Sequence, residues 1–155
     1  MARSEWYNGK EGRAEHLVHL DNKAKELKKL LNKEKTMIMR GGAGRKCPLG
    51  GRAKVDDIIY FVETRKKLTV THKGIISKVV ESEKMIHEES LLFIEKYEKN
   101  LKLTKSQFQK WAGNKYLAVY GISNLEEIEP FRYKRISNTD DWIITDDINK
   151  IKAEQ

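Results

Sequence analysis

One short stretch of the chain combines basic side chains with glycines in a way that could bind an anion. Residues 33–52 read KEKTMIMRGGAGRKCPLGGR, which holds five glycines and a single acidic residue, Glu34. Glycine lets a backbone turn with positive φ and come close to a ligand. Basic side chains beside such a backbone attract phosphate. The stretch therefore predicts a phosphate-binding site, with the remainder of the chain as its scaffold.

Two side chains at the start of this stretch could do more than hold a phosphate. Lys35 could offer a point charge to an anion, or act as a nucleophile or base if burial and nearby cations lower its pKa. The alternative for Lys35 is an ordinary surface lysine. Arg40 could make a bidentate contact to a phosphate or a base edge. The alternative for Arg40 is a structural salt bridge to one of three carboxylates, Asp56, Asp57 or Glu63.

The glycine-rich part of the stretch carries three further basic residues, Arg45, Lys46 and Arg52. They have no acidic neighbour in the sequence, which favours contacts to phosphates; such contacts set affinity without sequence specificity. The alternative is a flexible, solvated loop. The Gly-Lys-Ser/Thr ending of a Walker loop is absent from the sequence, which argues against nucleotide hydrolysis.

The overall charge of the chain, like this loop, favours an anionic partner. The chain has 155 residues and a formal net charge of +8, from 31 basic and 23 acidic residues. A basic balance of this size favours a polyanionic partner, and we predict RNA, DNA or a nucleotide. A lysine-rich surface that serves only solubility is the alternative.

Composition also bounds the environment of the protein. No apolar run approaches the ~20 residues that span a membrane, and the first residues contain no apolar signal region. The single Cys47 allows no intrachain disulfide. We therefore expect a cytoplasmic protein with no membrane partner and no cofactor. His16 and His19 point to opposite faces of a predicted strand, so we expect no metal site.

The spacing of apolar residues predicts an α+β fold in one domain. Strands and helices do not alternate as βαβ units, and five or six strands of this length could curl into a small barrel with flanking helices. We expect a flexible N-terminal tail over 1–14 and a single domain over 15–155. The predicted strands cover 16–20, 36–40, 57–63, 68–81 and 115–122, with an extended segment at 130–136. A hairpin-like turn at 64–67 joins the third and fourth strands, and the fourth is broken or bent near Gly74. The predicted helices follow an Asp21 cap, begin near 85, follow a Thr104 cap, and begin near 146.

Aromatic side chains add possible stacking platforms for bases. Phe131 and Tyr133 are the favoured pair because Arg132, Lys134 and Arg135 alternate with them. Core packing is the alternative for each ring.

Several of these segments together resemble the ASCH domain family of the PUA-like superfamily, whose EVE and YTH-like branches share the same barrel. The sequence LKKLL at 27–31 followed by EKTMIMR at 34–40 is similar to the family's helix and Gly-x-Lys-Thr-x-x-x-Arg turn, with Glu34 at the usual glycine. Asp56 and Asp57 stand where the family has a Gly-Asp pair before an apolar strand. The resemblance spans roughly residues 16–136.

The resemblance implies a mixed β pseudobarrel of five to six strands with a cleft between the barrel and the first helix. It implies binding of RNA or a modified nucleotide in that cleft. We expect Lys35, Thr36 and Arg40 to bind the ligand there, and Lys28 and the glycine-rich loop to hold phosphates. Some family members are hydrolases, either amidohydrolases on N4-acetylcytidine or ribonucleases, and Lys35 would then be catalytic.

One difference from the hydrolase branch favours binding over catalysis. The amidohydrolases use a Thr two residues beyond the Lys-Thr pair, and this chain has Ile38 there. Ile cannot donate or accept a hydrogen bond. We therefore expect a nucleic-acid-binding module, with a hydrolase and a protein-interaction domain as alternatives.

Overall fold

A computed structural model describes residues 13–45, 48–63, 69–134 and 142–153, which form an α+β fold. The elements in chain order are β1 Glu15–Leu20, α1 Glu26–Leu31, β2 Met37–Gly42, β3 Ile58–Glu63, β4 Thr69–Glu81, α2 His87–Leu101, α3 Lys105–Trp111, β5 Tyr116–Arg132, β6 Trp142–Thr145 and a terminal 3-10 helix, Ile148–Ile151.

The strands form one mixed sheet in the order β2-β5-β4-β3-β1-β6. β1 runs parallel to β3, whereas the other neighbouring strands are antiparallel. The sheet curls into a half-barrel with three α-helices beside it, which confirms the predicted PUA-like pseudobarrel.

The central strand β3 shows why the sheet is buried on both faces. Its alternate residues enter two separate apolar clusters: Ile59 and Phe61 pack in one, and Ile58, Tyr60 and Val62 pack in the other. A continuous apolar run is what a strand needs when both of its faces meet a core. The run DIIYFVE predicted such a strand correctly.

The two longest strands, β4 and β5, pair with each other in an irregular antiparallel ladder. The register between β4 and β5 shifts between Lys73 and Ile75, which confirms the predicted bend near Gly74. A Cβ at Gly74 would lie 3.0 Å from the carbonyl oxygen of Ser123, so any larger residue there would have to push the two strands slightly apart. The sequence divides β5 wrongly: the predicted strand at 115–122 and extended segment at 130–136 belong to one strand as far as Arg132.

Helix boundaries follow their caps closely only in α3. The Thr104 hydroxyl accepts from the Gln107 N–H, and the Gln107 side chain accepts from the Thr104 N–H, as in a capping box. The predicted Asp21 cap is displaced. Asp21 accepts from the Ala24 N–H within a turn, and α1 begins only after Lys25.

Some predictions fall on residues that the structure leaves undescribed. These are most of the N-terminal tail, Lys46 and Cys47 in the loop, the turn at 64–67, and the end of the segment at 130–136. Within the described ranges, no helix combines the length and apolar character needed to cross a membrane.

Candidate functional site

A cleft of about 220 Å³ lies where the first helix and α3 meet the edge of the sheet. The floor comes from β1 and β2, one wall from the turn and start of α1, and the other wall from α3. Most of its lining is polar or charged. The lining residues are His19, Asp21, Glu26, Arg40, Gln107, Lys110 and Trp111.

A buried ion pair lies at the base of the first wall. The Lys35 ammonium is 2.8 Å from the Glu26 carboxylate and donates at 2.7 Å to the carbonyl of Leu101. Glu26 also accepts from the Asp21 N–H at 3.0 Å. Glu26 lines the cleft and Lys35 lies behind it, 1% exposed. Lys35 therefore acts on the cleft through Glu26 rather than by direct contact.

The charges around Glu26 decide its ionisation. Burial alone would raise the pKa of Glu26, but the cations Lys35 and Arg40 and the hydrogen bonds from Lys35 and Asp21 hold that pKa below its ordinary value. The pKa of Lys35 is lowered by burial and by Arg40 and Lys29, against the attraction of Glu26. Glu26 is thus ionised at neutral pH, and it is the counter-charge that makes the buried cations tolerable.

Arg40 forms the floor of the cleft and is held rigidly. Its guanidinium donates at 2.9 Å to the carbonyl of His19 and at 2.7 Å to that of Met39. The group also lies 5.7 Å from the centre of the Trp142 ring. Asp57, one of the three carboxylates that the sequence offered as the structural partner of Arg40, pairs with His16 and Arg13. Arg40 therefore presents a fixed positive charge to the cleft.

The opposite wall is the end of α3. Trp111 is 9% exposed, and the Lys110 ammonium lies 4.8 Å from the centre of its ring. Gln107 lies one turn earlier on the same face. The Trp111 ring is buried and supports the exposed Lys110 ammonium, so this wall offers a cation that suits contact with a phosphate.

Three other predicted site residues lie elsewhere on the surface or in the core. Lys28 is exposed on α1. Thr36 is exposed, and its hydroxyl accepts at 3.0 Å from the Asn100 side chain, which joins β2 to the end of α2. Tyr133 is buried, 3% exposed, and its hydroxyl bonds the ring of His19. Tyr133 therefore supports the cleft residue His19 from behind, and its ring is not available for a base to stack on. Phe131, the other ring of the favoured pair, is also buried.

The two described loop arginines both have partners within the protein. Arg45 pairs with Glu83 at 3.0 Å and lies 5.2 Å from the centre of the Tyr116 ring. Arg52 donates to the carbonyls of Arg45 and Leu49 at 3.1 and 2.8 Å. The loop is thus organised by its own arginines.

Sequence reasoning missed Glu26, Gln107 and Lys110 as site residues. A signal for Glu26 was present: it precedes Leu30 by four residues, so a carboxylate falls on the apolar face of α1. No comparable signal marks Lys110, because an exposed lysine in a lysine-rich chain is not distinctive. In the described part of the chain, no group of three or more His, Cys, Asp or Glu is arranged to hold a metal.

Two positions that differ from the family pattern are explained by the backbone and the core. Asp56, at the family's usual glycine, has φ 76°, a conformation that glycine adopts freely and Asp tolerates better than most residues. Ile38 is fully buried in the apolar cluster around Phe61. A hydroxyl at this position would lie in the apolar core and could not reach a substrate.

Comparison with known proteins places the fold. No protein-family profile and no curated protein sequence matches the chain. The crystal structure of ASCH from Zymomonas mobilis is similar, with a TM-score of 0.56 at 17% identity over 76% of this chain and 73% of that chain. Structures of two of its mutants, a serine-to-alanine and a tyrosine-to-phenylalanine replacement, match with the same TM-score. The chain therefore has an ASCH-type fold.

Proposed function

We propose that the chain binds RNA and holds one nucleotide in the cleft between the half-barrel, α1 and α3. The observation that carries this proposal is the cleft itself, where the fixed guanidinium of Arg40 and the exposed Lys110 of α3 line one cavity. Arginine and lysine in a groove are the groups that contact the phosphates and base edges of single-stranded nucleic acids.

The size of the cleft supports a single nucleotide as its occupant. About 220 Å³ is below the ~300 Å³ at which pockets for drug-sized ligands begin. A base that has left its stack fits a snug pocket and is read by hydrogen bonds to its edge. Arg40 and Gln107 offer donors for such an edge, and the ionised Glu26 offers an acceptor.

The net charge of +8 supplies the sequence-independent part of the proposed affinity. Lys28 on α1 and the exposed arginines Arg45 and Arg52 are placed to contact phosphates beyond the cleft.

Lys110→Gln should weaken binding of a labelled single-stranded RNA by about five- to tenfold, because one cationic contact is lost. The slope of log K against log salt should also become shallower by about 0.7, the value for one phosphate contact on a single strand. Fluorescence anisotropy at several salt concentrations measures both quantities.

Lys105→Gln is the matched control, because Lys105 is exposed on the same helix and does not line the cleft. It removes the same charge, so its affinity and salt slope should stay close to those of the wild type. Equal losses in the two variants would contradict a role for the cleft. An absence of wild-type binding at low salt would overturn the proposed function altogether.

A hydrolase acting on a modified nucleoside is the second candidate, and the buried Lys35–Glu26 pair favours it. A carboxylate beside a lysine of lowered pKa at the edge of a cleft is an arrangement that can move a proton. It ranks second because the lowered pKa of Glu26 makes it a weak base, and because Lys35 lies behind it.

The hydrolase candidate predicts that the protein converts N4-acetylcytidine to cytidine and acetate by addition of water across the amide bond. Chromatography should show both products with native protein and neither with heat-denatured protein. A failure to form product at high protein concentration would remove this candidate and leave the binding proposal intact.

A further inference from the structure

Two backbone amides of the glycine-rich loop bind a carboxylate of the same chain. The Gly50 N–H donates to one Glu81 oxygen at 3.1 Å, and the Gly51 N–H donates to both oxygens at 3.3 and 3.1 Å. Both glycines have positive φ, 87° and 75°. The two consecutive amides therefore converge on one anionic group.

Converging amides of this kind form an anion-binding concavity. Successive N–H groups that point to one place carry fixed partial positive charges, and phosphate sites use the same device. Both glycines are exposed, and a side chain added at Gly51 would meet nothing within 4 Å. The backbone at these amides is therefore open to solvent, and the Glu81 carboxylate is the group that covers the N–H side.

Two arginines lie beside these amides. A Cβ at Gly50 would be 3.9 Å from the central guanidinium carbon of Arg52. Arg52 is tied through one nitrogen to the carbonyl of Arg45, and Arg45 pairs with Glu83. A cationic group, the guanidinium of Arg52, thus adjoins the amides, while the charge of Arg45 is paired with Glu83.

We propose that the amides of Gly50 and Gly51, with the guanidinium of Arg52, are a phosphate-binding site that Glu81 occupies as an internal competitor. The ligand is a tetrahedral phosphate oxyanion, either a nucleic-acid phosphate or free phosphate. The nucleic-acid source rests on the function proposed above, whereas the site itself does not.

The competition follows from the chemistry of the two anions. A phosphate oxygen and a carboxylate oxygen accept the same amide hydrogen bonds, and phosphate also offers oxygens to a neighbouring arginine. Glu81 belongs to the same chain and therefore competes at a high effective concentration. Its charge also repels an incoming phosphate. Glu81 should consequently weaken phosphate binding at this loop.

Glu81→Gln is the variant that tests the site. Glutamine keeps a carbonyl oxygen that can accept from one amide, so the loop retains part of its support while the competing charge is removed. Inorganic phosphate is titrated into ¹⁵N-labelled protein at constant ionic strength, and the Gly50 and Gly51 amide resonances are followed. We expect both to shift, with a dissociation constant about tenfold lower in Glu81→Gln than in the wild type.

Glu95→Gln is the matched control, because it removes one exposed carboxylate from α2, away from the loop. Its dissociation constant for phosphate should equal that of the wild type. Unshifted glycine amides in Glu81→Gln, or the same affinity in all three proteins, would overturn the site and leave Glu81 as a structural clip.

A second titration with a short single-stranded RNA separates the two proposals. Shifts at Gly50 and Gly51 with RNA as well as phosphate support the nucleic-acid source. Shifts with phosphate in a protein that binds no RNA support the site while the proposed function fails. RNA binding without any phosphate shift at these amides overturns the site and leaves the cleft proposal standing.

Discussion

Glu26→Gln is expected to lower the free energy of unfolding by about 3–5 kcal/mol, the range for breaking a buried ion pair. The substitution leaves two buried cations, Lys35 and Arg40, without the carboxylate that offsets them. The carbonyl of Leu101 still accepts from Lys35, but a neutral oxygen does not replace a charge. Urea unfolding followed by circular dichroism measures the loss.

Glu95→Gln again provides the comparison, since it removes an exposed carboxylate and should change stability by no more than about 0.5 kcal/mol. Adding Lys35→Met to Glu26→Gln should recover part of the stability, because the stranded cation is then removed as well. A loss below about 1 kcal/mol in Glu26→Gln, or no recovery in the double variant, would contradict the pair as the electrostatic base of the cleft.

Asp57→Asn is expected to lower the free energy of unfolding by about 2 kcal/mol, a value typical of a hydrogen bond to a charged group. Asp57 is 1% exposed and accepts from His16 at 2.9 Å, from the Lys54 N–H at 2.9 Å and from Arg13 at 3.1 Å. Trp142 donates to the other ring nitrogen of His16, which places the imidazole proton toward Asp57. An amide there would turn its NH₂ group toward one of these donors.

The same carboxylate should make stability depend on pH in the acid range. Burial would raise the pKa of Asp57, but the hydrogen bonds from His16 and Lys54 and the charge of Arg13 lower that pKa below its ordinary value of 3.8. Because the folded-state pKa is the lower one, the stabilisation is complete above pH ~4 and is lost as the pH falls through the folded value. The Asn variant should lack this part of the acid dependence.

Asp56→Asn is the matched control, because Asp56 is the exposed neighbour with φ 76° and Asn tolerates that conformation. It should retain the wild-type stability and acid profile. Urea midpoints measured between about pH 6 and pH 2.5 compare the three proteins. Parallel profiles for wild type and Asp57→Asn would exclude Asp57 as the source of the acid sensitivity.

The predictions that the structure confirms depend on local interactions, whereas those that were wrong depend on contacts between distant segments. The Thr104 cap, the run at 57–63 and the bend at Gly74 were predicted because caps, apolar runs and a strand glycine act within a few residues. β5 was divided because Pro130 signals a break. In the structure, Pro130 falls within the gap in the β4 pairing between Glu127 and Phe131, where a residue without an N–H is tolerated.

The candidate site shows the same division between local and long-range interactions. The sequence singled out Lys35 and Arg40 from a basic motif and from a resemblance, and Arg40 lines the cleft. It did not indicate that Glu26 would stand between Lys35 and the cleft, or that Arg45 would pair with Glu83. Partners of a buried or clustered charge depend on which surfaces the fold brings together, and composition does not contain that information.

By itself, the amino-acid sequence determined the α+β class and the basic glycine-rich segment beside the first helix, and its resemblance to the ASCH family implied the barrel. The first two features follow from periodicity, capping and charge, which act locally along the chain. The tertiary structure alone decided the lining of the cleft, the burial of Tyr133 and the carboxylate that fills the Gly50–Gly51 amides. These depend on the packing of α3 and β4 against elements distant in sequence, where burial and charge pairing are settled.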